Sequence, residues 1–171
     1  MKDKVRHLYS GSRWAHIEGM LRLCDDCSNV FHFSPRFEKK LRDAILLHDI
    51  GKGDEKNRTR PFWRLEHAEI SYRTAKEKLN IKDTAVLKAV RSHPAIKAAA
   101  GPLEKFLYVI DFAEYNREYS ESTKAREILL NGKITAAVLY TASSKLNCLE
   151  KNKSEIHPNT KGLIDKYEKE H

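Results

Sequence analysis

Cysteine is scarce in this chain. There are three in 171 residues, an odd number, which excludes a fully paired disulfide framework as the source of stability. Cys24 and Cys27 have the spacing of half a zinc site or of a redox pair. Cys148 lies far away with no close second cysteine, so a four-thiolate site cannot be completed. Burial on a helix in a reducing compartment is the expected role of the pair. Glycine and proline are also few, seven and five, and no Pro/Gly/Ser-rich linker divides the chain. One domain spanning 1–171 is expected, with helix joined to helix. No apolar run is long enough to cross a bilayer, and the charged first residues are not followed by a secretory cleavage pattern. No membrane association and a cytoplasmic location are therefore expected.

Charge is plentiful: 32 basic residues against 24 acidic ones leave a net +8. A hydrophobic share of 40% is too high for a disordered chain, and the length suffices to bury a core. The positive excess points to an anionic partner, which charge alone leaves open among nucleotide, nucleic acid and lipid headgroups.

Apolar periodicity predicts an all-α fold. With Ser12 as N-cap, a helix to about Cys27 places His16, Met20, Leu23 and Cys27 on one stripe. Ser34-Pro35 starts a second helix whose stripe Phe37, Leu41, Ala44 ends in His48. Gly51 stops it, and a charged segment leads to a third helix from about Pro61 or Trp63 to Leu79 with His67 and Ile70 on one face. Asp83 caps a fourth, where Val86, Ala89 and Val90 align with His93 before Pro94. Gly101-Pro102 opens a fifth that carries Asp111 among Phe106, Leu107 and Ile110. Further helices are expected around Ser122 to Leu130, from about Ile134 to Leu149, and after His157-Pro158.

Five helical segments thus each bring a metal-capable side chain to an apolar face. Burying such groups is costly unless a partner satisfies them, and one shared metal site would satisfy all of them. A lone histidine in this setting reads as a hydrogen-bonded core residue; the adjacent pair His48-Asp49 and its companions shift the balance. Four imidazoles and two carboxylates without a thiolate suit iron, manganese or another first-row ion better than a four-coordinate structural zinc. His7, His32 and His171 stand outside the pattern and carry no assigned role.

An early histidine, a His-Asp doublet, further histidines and a late aspartate resemble the HD phosphohydrolase superfamily. Four stretches are similar, more narrowly, to the bacterial YqeK family of symmetrical diadenosine tetraphosphate hydrolases. They are Arg13-Trp14-Ala15-His16, Leu46-Leu47-His48-Asp49-Ile50-Gly51-Lys52, Tyr108 through Arg117, and Ile156-His157-Pro158-Asn159-Thr160. The resemblance implies an HD-domain helical bundle of roughly seven to eight helices. It implies a dinuclear metal centre with iron favoured: His16, His48, Asp49 and Asp111 on one ion, His67 and His93 on the second, Asp49 bridging. Activated water would attack phosphorus in line. Asp49 and Lys52 are the catalytic candidates. Lys52 would offset charge on the phosphates, although a solvated cation at a helix end reads the same in isolation. Arg13, Lys52, Arg117 and His157 are the substrate-binding candidates, Arg117 as a guanidinium fork for phosphate.

The sequence departs from the family in two places. The connection Ile50 to Glu66 is shorter than the family's covering insertion, with Lys56, Arg58, Arg60 and Arg64 as basic replacements, and Tyr115 stands where a proline is frequent. The expected substrate is a dinucleoside tetraphosphate split into two nucleoside diphosphates, with a homodimer left open. An HD-type nucleotidase or phosphodiesterase is the second enzyme reading. Guanosine tetraphosphate hydrolysis is disfavoured, because Lys52-Gly53 replaces an acidic pair. A basic nucleic-acid-binding protein is the non-enzyme reading, and no recognised nucleic-acid motif accompanies the charge.

Overall fold

The computed structural model describes residues 1–53, 62 and 65–169. Among them are nine α-helices and no strand. They are α1 (Lys2–Val5), α2 (Gly11–Phe31), α3 (Pro35–Leu47), α4 (Glu66–Arg73), α5 (Thr84–Ser92), α6 (Pro102–Ala113), α7 (Ser120–Leu130), α8 (Ile134–Lys151) and α9 (Pro158–Lys169). The all-α class is as expected, and the helix number exceeds the expected seven to eight by the short α1. A single turn has no periodicity to read; it is held by tertiary contact, with Val5 fully buried.

Capping chemistry sets several boundaries. Ser34 Oγ accepts from the Phe37 amide at 3.3 Å, with Pro35 in the first turn of α3. Asp83 Oδ1 accepts from the amides of Ala85 and Val86 at 3.0 and 3.2 Å. Each satisfies amides that a helix start leaves without partners. The expected start of α2 at Ser12 moves to Gly11, with Ser10 as N-cap. Its end moves from Cys27 to Phe31, where His32 takes a left-handed conformation with φ 51°. The extension has a packing cause: Phe31 and Phe33 meet Phe106 edge-on at 4.9 and 4.8 Å between ring centroids. Helix α4 begins at Glu66 and passes into a π-helical segment, Thr74–Lys78, ahead of Leu79. Its expected starts at Pro61 or Trp63 lie outside the described residues, as do Lys56, Arg58, Arg60 and Arg64.

Helix α6 is the centre of the bundle and packs against α2, α3, α5, α7 and α8. It is apolar around most of its circumference, as a helix enclosed on all sides must be. Its start is tied to α5 by the buried Glu104, which accepts from the Gly101 amide at 2.9 Å, Ser92 Oγ at 3.0 Å and Lys88 Nζ at 2.8 Å. That clamp sets the relative position of His93, at the end of α5, and Asp111, in the last turn of α6. Cys24 and Cys27 are fully buried in the core, and burial pushes the Cys24 thiol up to about 12 and raises Cys27 as well. They are thereby inert as thiolates. No helix among the described residues is long and apolar enough to cross a membrane.

Candidate metal centre

Helix ends and one mid-helix turn deliver six side chains to a common point. His48 caps the C-terminus of α3, Asp49 opens the turn that follows, His67 lies in the first turn of α4, and His93 caps α5. His16 comes from α2 and Asp111 from α6. The turn after Asp49 lies tight against α4: a Cβ on Gly51 would stand 2.7 Å from the Ser71 amide nitrogen, and the Gly51 amide donates to Ser71 Oγ at 2.9 Å. Only glycine allows that approach.

Two of the histidines are oriented by the backbone. His48 Nδ1 lies 2.8 Å from the Ile45 carbonyl and His93 Nδ1 lies 2.8 Å from that of Val90. A carbonyl only accepts, so Nδ1 carries the proton in both, and Nε2 is left with a lone pair directed into the cluster. Burial lowers the pKa of His48, and that of His93 to about 3, so both rings stay neutral at pH 7. His93 Nε2 is 3.1 Å from His67 Nε2. Asp49 Oδ1 is 3.3 Å from His67 Nε2 and 3.7 Å from His93 Nε2, while Asp49 Oδ2 is 3.7 Å from His48 Nε2. Asp111 Oδ1 is 3.2 Å from His16 Nε2 and 3.8 Å from His48 Nε2.

Two subsets have donor atoms mutually within 4.8 Å: His16, His48 and Asp111, and His48, Asp49 and His93. His48 Nε2 and Asp49 Oδ1 are buried without a hydrogen-bond partner. Two buried ligand atoms without hydrogen-bond partners are expensive as protein alone and natural as metal ligands. The residues present fit one or two first-row divalent ions.

Electrostatics follow the geometry. Burial by itself would raise the Asp49 carboxyl, but the Lys52 ammonium, 2.8 Å from Oδ2, helps to hold it well below the usual carboxylate range. Asp111 is likewise held low against its burial by Arg117 and His16. His16 behaves oppositely to the inner histidines. Burial would lower its pKa, yet the carboxylates of Asp111 and Glu114, at 3.2 and 3.3 Å, raise it to about 9.

The remaining candidates are placed as follows. Lys52 Nζ pairs with Asp49 Oδ2 at 2.8 Å with its side chain 43% exposed, so the ammonium sits between the cluster and solvent. Arg13 donates to the Lys52 carbonyl and lies against Gly53, where φ is +101°. It braces the loop that carries Lys52. Arg117, past the end of α6, donates to Asp111 Oδ1 at 3.1 Å and to the Tyr119 hydroxyl at 3.3 Å. His157 is edge-on to Phe62 at 5.1 Å, and its Nδ1 accepts from the Asn159 amide at 3.1 Å.

Two residues of the neighbourhood escaped the sequence reading. Glu114 is 2% exposed and faces His16 Nδ1, with its second oxygen accepting from the Asn116 amide at 2.6 Å. It belongs to the late motif, and nothing in its spacing distinguishes it from a solvated acid. Lys145, on α8, has its Nζ 3.9 Å from the centroid of the Tyr108 ring. A lysine in the middle of an amphipathic helix has no sequence signal of that kind.

The HD domain family matches residues 13–138. Over 165 residues the chain is 26% identical to the symmetrical bis(5'-nucleosyl)-tetraphosphatase of Halalkalibacterium halodurans, covering 86% of this chain and 84% of that protein. Over 170 residues it is 21% identical to the protein of the same description from Bacillus subtilis, covering 91% and 89%. A solved structure from Clostridium acetobutylicum, described as a predicted HD superfamily hydrolase involved in NAD metabolism, superposes with a TM-score of 0.81. It shares 19% identity with this chain, with 96% of this chain and 95% of that one covered.

Proposed function

We propose that this chain, which belongs to the HD domain family, is a metal-dependent phosphohydrolase that splits a dinucleoside tetraphosphate, diadenosine tetraphosphate foremost, into two nucleoside diphosphates. The observation that carries the hydrolytic reading is the convergence of His16, His48, Asp49, His67, His93 and Asp111, with His48 and His93 each locked by a backbone carbonyl so that Nε2 faces inward. The substrate rests on the two tetraphosphatases that the chain resembles over most of its length.

Bound divalent ions, with iron favoured and manganese an alternative, would supply an acidified water and Lewis-acid polarisation of phosphoryl oxygens. The protein's own part is separable. Asp49, held ionised, faces both histidine groups and is the residue suited to join two ions. Lys52 and Arg117 stand beside the two carboxylates and present cations to a phosphate chain, offsetting the charge that grows on its oxygens in the transition state. His157 lines a recess near the centre. Arg13 acts through Lys52 by holding its carbonyl.

Purified iron- or manganese-loaded protein incubated with diadenosine tetraphosphate should yield ADP alone, read by anion-exchange chromatography. AMP with ATP would refute symmetrical cleavage, and turnover of mononucleotides with the dinucleotide left intact would replace this substrate with that of a nucleotidase. Asp49→Ala should abolish metal retention and turnover together. A charge-driven nucleic-acid binder would instead keep a salt-dependent affinity in that variant.

A further inference from the structure

Lys145, on α8, is a partly buried cation. No acidic group lies within ion-pair distance of its Nζ among the described residues, and its contacts are the faces of Tyr108, at 3.9 Å, and Phe112, at 6.0 Å. Burial lowers its pKa to about 8, opposed by Asp111 and assisted by Arg117 and Lys52. The charges of the metal centre therefore reach this ammonium. The route is short in the fold, because Tyr108 precedes Asp111 by one helical turn of α6.

Lys145 also lines a recess with Phe62, Leu65, Pro94, Leu149 and His157. Its volume is about 80 Å³, room for roughly five to eight waters where each takes about 10–15 Å³, which is enough for the six-membered ring of a heterocyclic base. Pro94 directly follows the candidate ligand His93, and Leu65 precedes His67 by two residues, so the recess adjoins the centre along the chain. Of its polar lining residues, Glu155 accepts from the Phe62 amide at 2.6 Å, and Ser154 and Thr160 add hydroxyl groups. An apolar recess with aromatic walls, a single lysine, and a metal centre alongside has the polarity of a nucleoside phosphate.

We infer that Lys145 and this recess form a nucleoside diphosphate subsite, the recess seating the base and the Lys145 ammonium reading the phosphate nearest the ribose, while the phosphate chain continues toward Asp49 and Asp111. The inference deepens the proposed hydrolase reading and rests on it for the direction of the chain. A partly buried cation with no carboxylate in reach among the described residues gains a counter-ion when a phosphate arrives, which makes Lys145 a substrate-binding residue that selects for charge.

The test is calorimetric titration of ADP, and separately of adenosine, into the metal-loaded full-length protein. Lys145→Met keeps the side-chain length and removes the charge; Leu149→Trp fills the recess from the surface of α8. Lys145→Met should weaken ADP binding at least tenfold while leaving adenosine within twofold, and Leu149→Trp should weaken both tenfold. In the wild-type protein ADP affinity should decline as pH rises through 8, a decline missing in Lys145→Met. Equal ADP affinity in Lys145→Met and wild type overturns the inference, as does failure of the wild-type protein to bind ADP while it still hydrolyses the dinucleotide. Loss of the hydrolase reading looks different: the dinucleotide is not cleaved, and the ADP titration still reports on the recess.

Discussion

Replacing Gly19 by alanine tests the inner construction of the site. Gly19 lies on the buried face of α2, one turn beyond His16. A Cβ there would fall well inside contact distance of the Glu114 carboxylate and 3.0 Å from Asn116 Nδ2. Two effects compete. Alanine in a helix interior is favoured over glycine by about 1 kcal/mol. Overpacking a filled site costs roughly 1–3 kcal/mol. Glu114 cannot yield freely, because the same carboxylate accepts from the Asn116 amide and faces His16 Nδ1. The net expectation is a loss of about 0–2 kcal/mol, or up to roughly 4–8 °C in Tm for a chain of this size. The functional loss is larger, since a histidine deprived of its orienting carboxylate typically costs about 10–100-fold in metal affinity. Gly162→Ala is the control: it is also helical, and a Cβ there meets nothing within 4 Å. It should raise stability by about 0.5–1 kcal/mol and leave metal binding unchanged. Thermal melts of metal-free protein and calorimetric metal titration read both quantities. If Gly19→Ala gained stability as Gly162→Ala does and bound metal with wild-type affinity, the packing of Glu114 beneath His16 would be refuted.

Proton release on metal binding follows from the opposite shifts within the cluster. His16, raised to about 9, is charged at pH 7 and must lose its proton to act as a ligand, while His48 and His93 are already neutral. Titrations in buffers of different ionisation enthalpy should report about one proton released from this trio at pH 7, with apparent affinity rising toward pH 9; three would contradict the described orientation. Lys145→Met should stabilise the metal-free protein at pH 7 by an amount on the order of 3 kcal/mol, seen in urea melts. The sign follows from a folded pKa of about 8 below the ordinary 10.5. The folded state bears the full penalty of the buried ammonium below pH 8 and loses it between 8 and 10.5, so the advantage of the methionine variant should shrink over that window.

The sequence alone carries the helical class, because apolar spacing over whole helices is a local property repeated many times. It also singled out the six metal-capable residues, because an ionisable group on an apolar stripe is anomalous wherever the stripe packs. The caps at Ser34 and Asp83 were legible for the same reason: a cap acts within three residues of itself. Tertiary structure decided what depends on distant partners. Phe31 extends α2 four residues beyond Cys27 because Phe106 of α6 waits to receive it. Glu114 is a partner of His16 only because α2 presents a bare glycine at that crossing. Arg13 braces Lys52, and Lys145 stands over Tyr108 next to a recess, through contacts between residues 39 and 37 positions apart in the chain. Periodicity and capping are written in neighbouring residues; which charge meets which is settled when the helices pack, since burial and distance set the energy of a charged group and both belong to the assembled bundle.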